Sequence, residues 1–178
     1  MIESIYGFLN DVELSLVDTF CLNFKQEDNP RPTNYYNRMF LNKETDLIDY
    51  QNKIKNHLFQ KYGITYEVEG IWINKVTPDT NKDDEFHLDN NALTIVTYIN
   101  DNFIGGEFEY FILGIKPNQK INPKRNLSLI TNDKLPHRVL PVITGERYGL
   151  ARLAGTFILI LYFAEVCNHD AILSNQIL

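Results

Sequence analysis

Cysteine is almost missing from this sequence: Cys21 and Cys167 are the two in 178 residues. Neither lies at a spacing that chelates a metal or forms a redox pair, so both are expected to be ordinary reduced thiols. Long hydrophobic runs are missing too. The longest, Phe157 to Val166, is short and interrupted, whereas a membrane helix needs roughly 20 apolar residues, so no membrane partner is expected. Positive charge is in the minority, with a formal net charge of −6 and no basic stripe. That argues against a nucleic-acid partner, because neutralising phosphates takes clustered Lys and Arg. The opening Met-Ile-Glu-Ser has neither a basic n-region nor an apolar h-region. No signal peptide is expected, and a cytoplasmic location is. No internal repeat or linker divides the chain.

What is present suffices for a single domain over residues 1–178. Hydrophobic residues make up 44% and aromatics 12%, which supports a sizeable core. Apolar positions Val12, Leu14, Leu16, Val17, Phe20 and Phe24 predict a helix over Asp11–Phe24. Pro30 and Pro32 exclude regular helix from the polar stretch Glu27–Asn37. Leu47, Tyr50, Ile54, Leu58 and Tyr62 recur at three- and four-residue steps. They predict a second helix over Asn42–Tyr62, with Gly63 as its stop.

The period then falls to two. Strands are expected at Ile64–Val68, Gly70–Val76, Leu93–Asn100, Glu107–Leu113, Leu127–Ile130, Arg138–Ile143, Arg147–Leu153 and Phe157–Phe163, with a polar connection at Thr77–Glu85. Many short antiparallel strands indicate a mainly β fold with flanking helices, a sandwich or jelly roll. The expected division is helical N-terminal support over 1–63, jelly-roll core over 64–166 and a tail over 167–178.

Two islands carry the chemistry. In His87-Leu88-Asp89 the His and Asp stand at i and i+2, so on extended backbone they share one side while Leu88 faces away. Two imidazoles and one carboxylate on a single face are how non-haem Fe(II) is held, and His137 is the candidate for the remote ligand. Arg147 follows ten positions later, beyond a turn expected at Thr144-Gly145. A guanidinium there suits a carboxylate gripped by two parallel hydrogen bonds. Gly105-Gly106 is read as a sharp bend or bulge between strands. His57 and His169 lack partners at useful spacing and are read as surface residues.

These pieces stand in a recognisable order: His87-Leu88-Asp89, Thr97-Tyr98-Ile99-Asn100-Asp101, Gly105-Gly106-Glu107-Phe108, His137-Arg138-Val139 with Pro141-Val142, and Gly145-Glu146-Arg147-Tyr148. From Trp72 to Phe157 the chain resembles the 2-oxoglutarate/Fe(II)-dependent dioxygenase superfamily, most closely its prolyl 4-hydroxylase-like branch. The resemblance implies a double-stranded β-helix (jelly roll) core buttressed by N-terminal helices. It implies Fe(II) held by His87, Asp89 and His137, with 2-oxoglutarate as cosubstrate, O2, and ascorbate as an accessory reductant. It also implies that Arg147 and Tyr98 share the distal carboxylate of 2-oxoglutarate. Asp89 favours hydroxylation, because halogenating members carry a small residue there.

The chain departs from the branch before the metal segment. No second tyrosine can be placed at the keto-acid end of the cosubstrate, which leaves Asn74 or Trp72 for that space. Nucleic-acid demethylases of the superfamily use two arginines near the end of one strand. Here Arg152 is an odd step from Arg147, which puts it on the opposite face. The implied activity is hydroxylation of a prolyl residue in a peptide or protein, with release of succinate and CO2. A free amino acid or other small molecule is the alternative substrate, and a non-catalytic sensor of 2-oxoglutarate or metal is the alternative of another class. The stretch Glu27–Arg38, with Arg31, Tyr35, Tyr36 and Arg38, is either a substrate-covering loop or an ordinary connection.

Overall fold

The computed structural model describes residues 2–25, 37–63, 65–66, 68–80, 85–90, 92–112, 114 and 118–154. In chain order the elements are β1 (Ile2–Tyr6), α1 (Asp11–Leu22), β2 (Asn37–Phe40), α2 (Ile48–Tyr62), β3 (Val68–Val76), β4 (Leu93–Tyr98), β5 (Ile104–Gly105), β6 (Phe108–Tyr110), β7 (Gln119–Ile121), β8 (Leu127–Asn132), β9 (His137–Val139), β10 (Val142–Thr144) and β11 (Arg147–Ala154).

Six strands form a major sheet in the order β1-β8-β4-β11-β3-β2, every pair antiparallel. A three-stranded sheet β7-β6-β9 and the pair β10-β5 form the minor layer. Both edges of the major sheet come from the first 40 residues: β1 pairs with β8, and β2 pairs with β3. The N-terminal segment therefore supplies strands as well as helices.

Helix α1 starts where its cap chemistry dictates. The Asn10 side chain accepts from the Glu13 N–H at 2.9 Å, and the Glu13 carboxylate accepts from the Asn10 N–H at 2.7 Å, a capping box. Helix α2 begins at Ile48, six residues later than the periodicity predicts. Asp46 accepts from the Asn42 N–H at 2.8 Å and Leu47 is left-handed at φ 53°, so local side-chain bonding turns residues 42–47 into a tight loop instead. Gly63 ends α2 at φ 64°, its N–H donating to Phe59 O at 2.9 Å.

Alternation sorts the major sheet into two faces. On one, Ile71, Ile73, Leu93, Ile95, Ile130 and Leu150 pack against Val17 of α1 and Tyr50, Ile54 and Leu58 of α2. Truncating one such buried aliphatic to Ala costs about 2–5 kcal/mol. On the other, Tyr98, Leu127 and Leu129 meet Phe108 and Leu135 from the minor layer. Arg152 lies on the helix face, fully buried, with Nη1 donating to Gln51 O at 3.1 Å, as its odd step from Arg147 requires.

Other expectations shift. Of the expected strand Ile64–Val68, Thr65 makes an isolated bridge and Val68 opens β3, which runs unbroken through Gly70, while Ile64 and Glu67 lie outside the described residues. Pro141 divides Arg138–Ile143 into β9 and β10. Gly105 and Gly106 do bend the chain, at φ 84° and 72°. The Pro141 carbonyl would lie 2.3 Å from any Cβ at Gly105, so only glycine fits there. His57 is half-buried rather than a surface residue, with Nε2 3.1 Å from Glu3. The expected strand Phe157–Phe163, Cys167, His169, Arg31, Tyr35 and Tyr36 lie outside the described residues. Among the described residues no helix is long and apolar enough to cross a membrane.

Candidate metal centre

His87 and His137 face each other across a two-way backbone bridge, His87 N–H to His137 O at 2.9 Å and His137 N–H to His87 O at 3.0 Å. His87 belongs to no strand; this bridge attaches residues 85–90 to the edge of the minor sheet at β9. Leu88 is exposed, so His87 and Asp89 share the opposite side, as the i, i+2 spacing predicts.

The donor atoms of His87, Asp89 and His137 all lie within 4.8 Å of one another. His87 Nε2 is 3.9 Å from Asp89 Oδ1, and His137 Nε2 is 3.8 Å from Asp89 Oδ2. These distances are too long for hydrogen bonds. Neighbouring ligands about 2 Å from one ion stand about 3 Å apart, so these donors surround one point at a spacing slightly wider than that of a bound set. Among the described residues the buried Oδ2 of Asp89 has no hydrogen-bond partner, which is costly unless a cation meets it. The imidazoles are oriented in the same sense. Nδ1 of His87 donates to Glu85 O at 3.0 Å and Nδ1 of His137 donates to Leu135 O at 2.8 Å. That fixes the tautomer and leaves each Nε2 lone pair toward Asp89. The donor set of two neutral imidazoles and a carboxylate fits Fe(II).

His137 is buried, and its ring stacks on Phe108 with centroids 5.0 Å apart and planes at 23°. Phe108 belongs to the inter-sheet cluster that also holds Tyr98. This packing joins the metal ligands to the second constellation. Tyr98 ends β4, directly opposite Gly149 of β11. Arg147 opens β11 two residues earlier on the same face, and its Nη1 donates to Gly106 O at 3.1 Å. Burial pushes the Tyr98 phenol upward, and the positive charge of Arg147 pulls it back, which places the two groups in each other's field. Gly106 lies so close that a Cβ there would stand 3.3 Å from Arg147 Cδ.

Asn74 shares that face. Gly149 lies between it and Tyr98 in the cross-strand row, and β2 adds Arg38 beyond it. Arg38 Nε donates to Asn74 Oδ1 at 3.4 Å, and its guanidinium sits 4.2 Å from the Trp72 ring centroid. Arg38 is thus part of the sheet rather than of a loop. Trp72 is buried two residues down the strand from Asn74. The Leu135 and Glu85 carbonyls carry no motif of their own, and Phe108 stands in the Gly105-Gly106-Glu107-Phe108 piece without a stacking role having been read from it. For Phe108, the alternation in Glu107–Leu113 was the available signal.

No protein-family model matches the chain, and no curated protein does either. Solved structures do. An oxidoreductase of the 2OG-Fe(II) oxygenase family from Burkholderia pseudomallei is 18% identical, with a TM-score of 0.66 over 86% of this chain and 85% of that one. A Pseudomonas putida prolyl-4-hydroxylase is 16% identical, with a TM-score of 0.67 over 87% and 92%. A prolyl hydroxylase from Trichoplax adhaerens, solved with a hypoxia inducible factor peptide fragment, is 17% identical, with a TM-score of 0.63 over 86% and 83%. The chain has the fold of these proteins: a mainly β, antiparallel jelly roll with two described helices packed on one sheet.

Proposed function

We propose that this chain is an Fe(II)- and 2-oxoglutarate-dependent dioxygenase that hydroxylates a prolyl residue in a peptide or protein. The observation that carries the reading is the convergence of His87, Asp89 and His137 within 4.8 Å, with Tyr98 and Arg147 on the sheet face whose cluster includes Phe108, the ring stacked on His137. Fe(II) and 2-oxoglutarate, when bound with O2, supply oxidative decarboxylation of the cosubstrate to succinate and CO2 together with hydroxylation of an unactivated C–H bond.

The chain's own residues hold and shield that chemistry. His87 and His137 bind through Nε2, kept in register by their Nδ1–H bonds to Glu85 O and Leu135 O. Asp89 contributes its carboxylate and so leaves no vacancy for a halide, which favours hydroxylation. Arg147 and Tyr98 donate to the distal carboxylate of 2-oxoglutarate, a buried charge that needs such donors. Asn74, two strands from Tyr98 in the same cross-strand row, is the candidate for the keto-acid end. Phe108, Leu127, Leu129 and Leu135 wall the space with apolar surface and exclude water.

The prolyl assignment is supported by the fold shared with prolyl hydroxylases, one of them solved with a peptide. The test is a panel of prolyl peptides, free amino acids and other metabolites, read by succinate formation and a mass gain of one oxygen. A peptide oxidised on proline supports the reading. Turnover driven only by free amino acids or metabolites moves the substrate to a small molecule. No turnover by a metal-loaded protein that binds 2-oxoglutarate makes it a sensor.

A further inference from the structure

We propose that Arg138 is a positioning residue for the metal-ligand segment: anchored on buried Glu109, it clasps the ring of Phe86 and so holds His87 and Asp89 against His137. The inference rests on the metal-centre reading above and adds a residue to it. His87 lies outside every strand, and its backbone is tied to β9 by two hydrogen bonds to one residue. Those two bonds fix one point of residues 85–90, and the orientation of the segment about that point sets both ligands at once.

The restraint lies on the other side of the same backbone. Side chains alternate across paired extended segments, so His87 and His137 face the inter-sheet space while Phe86 and Arg138 face outward. There the Arg138 guanidinium carbon sits 4.6 Å from the Phe86 ring centroid. Glu109 holds that guanidinium from its far side, with Nε and Nη2 of Arg138 each 2.6 Å from Glu109 Oε2. Glu109 is directly opposite Arg138 in the β6–β9 register, while the neighbouring pair in that register is Tyr110 with His137. A row Phe86–Arg138–Glu109 thus runs across three extended segments, back to back with the row that carries both imidazoles.

The order of strengths in this row decides what it does. Glu109 is 6% exposed, so its bond to Arg138 is charge-assisted and shielded, and it sets the guanidinium plane. The cation–π contact then extends that rigidity to Phe86, which is 38% exposed and has solvent on its open side. Rigidity in the supporting residues lowers the ordering cost of bringing three ligands to one ion.

The experiment titrates the full chain with Co(II), reading the dissociation constant and the visible absorption of the bound metal. Phe86→Leu and Arg138→Met should each weaken Co(II) binding about tenfold, the scale of an outer partner of a metal ligand. The double variant should be no weaker than Arg138→Met alone, because that variant has already lost the contact with Phe86 as well as the bond to Glu109. Phe86→Tyr, which keeps the ring, should restore the wild-type constant and absorption band. Wild-type affinity in Phe86→Leu, or losses that multiply in the double variant, overturns the proposal. Because Phe86 is partly exposed, its two variants decide the matter even if Arg138→Met fails to fold. If the wild type binds no Co(II), or His137→Ala binds it as well as the wild type, the metal-centre reading falls and takes this inference with it.

Discussion

The imidazole of His137 lies nearly flat on the ring of Phe108, with centroids 5.0 Å apart and planes at 23°. One aromatic side chain thus packs against a candidate metal ligand while belonging to the cluster that contains Tyr98 of the candidate clamp. Phe108→Leu keeps most of the volume and loses the stacking face. Aromatic pairs of this kind are worth about 0.5–1.5 kcal/mol, so metal affinity should fall roughly 2- to 12-fold. Isothermal titration with Co(II) measures this, and a variant that only melts earlier would deny the coupling.

His87→Ala and His137→Ala should each abolish tight metal binding and succinate formation together. Each removes one of three donors grouped within 4.8 Å. Full activity with one equivalent of iron in His137→Ala would remove it from the ligand set.

Arg147→Ala should raise the KM for 2-oxoglutarate by about 30-fold or more while leaving metal affinity nearly unchanged. Truncating one partner of a buried charge pair costs on the order of 2–5 kcal/mol. Tyr98→Phe removes one hydroxyl and should cost less, about 1–2 kcal/mol. Steady-state kinetics over 2-oxoglutarate concentration distinguishes them, and an unchanged KM in Arg147→Ala would falsify the clamp.

Arg152→Met should behave in the opposite way. Arg152 is fully buried among the helix-side core, and its Nε and Nη2 have no hydrogen-bond partner among the described residues. Burial works against its charge and lowers the pKa. Replacing a buried, poorly paired charge with an apolar side chain of similar volume is often neutral or stabilising, by about 1–4 kcal/mol. The melting temperature should hold or rise with the KM for 2-oxoglutarate unaltered; a raised KM would bring Arg152 into the clamp.

Glu3 predicts a pH dependence of stability. Burial alone would raise its pKa, but bonds from Lys61, Tyr62 and His57 outweigh burial and lower it to about 2. A depressed carboxylate stabilises the fold at pH values above its unfolded pKa, near 4.5, and that contribution is lost as pH falls from there toward 2. Glu3→Gln should melt below the wild type at neutral pH, with the gap closing over that window. A gap independent of pH would mean that the β1–α2 contact owes nothing to charge.

The sequence made the site more legible than the frame around it. His87 and Asp89 could be grouped because extended backbone converts spacing into sidedness, and the same parity sent Arg152 to the far face, whereas His137 and Arg147 were candidates only through the order of the motifs. β1 and β2 could not be read. Ile2–Tyr6 and Asn37–Phe40 are edge strands, paired on one side only, so they show little of the hydrophobic alternation of β3 or β4. β5 and β7 are too short, at two and three residues, to carry a period. The start of α2 was hidden because Asn42 and Asp46 bond to local backbone, an option that periodicity does not register. Phe86, Glu109 and Arg138 are ordinary strand-like residues until their register is known.

The sheet order also has a consequence for synthesis of the chain. β3 and β4 never pair with each other; β11 lies between them, and its first residue, Arg147, comes long after both have left the ribosome. β1 must likewise wait for β8, more than a hundred residues away. At translation rates of about 5–20 residues per second, a nascent chain carries unpaired strands and an uncovered helix-facing surface for several seconds before the closing strand arrives. Nascent chains stalled before Arg147 should therefore be protease-sensitive and bind chaperones. Those extended by a C-terminal linker that brings Ala154 clear of the exit tunnel should be resistant, and resistance in the shorter set would show that the sheet assembles without its central strand.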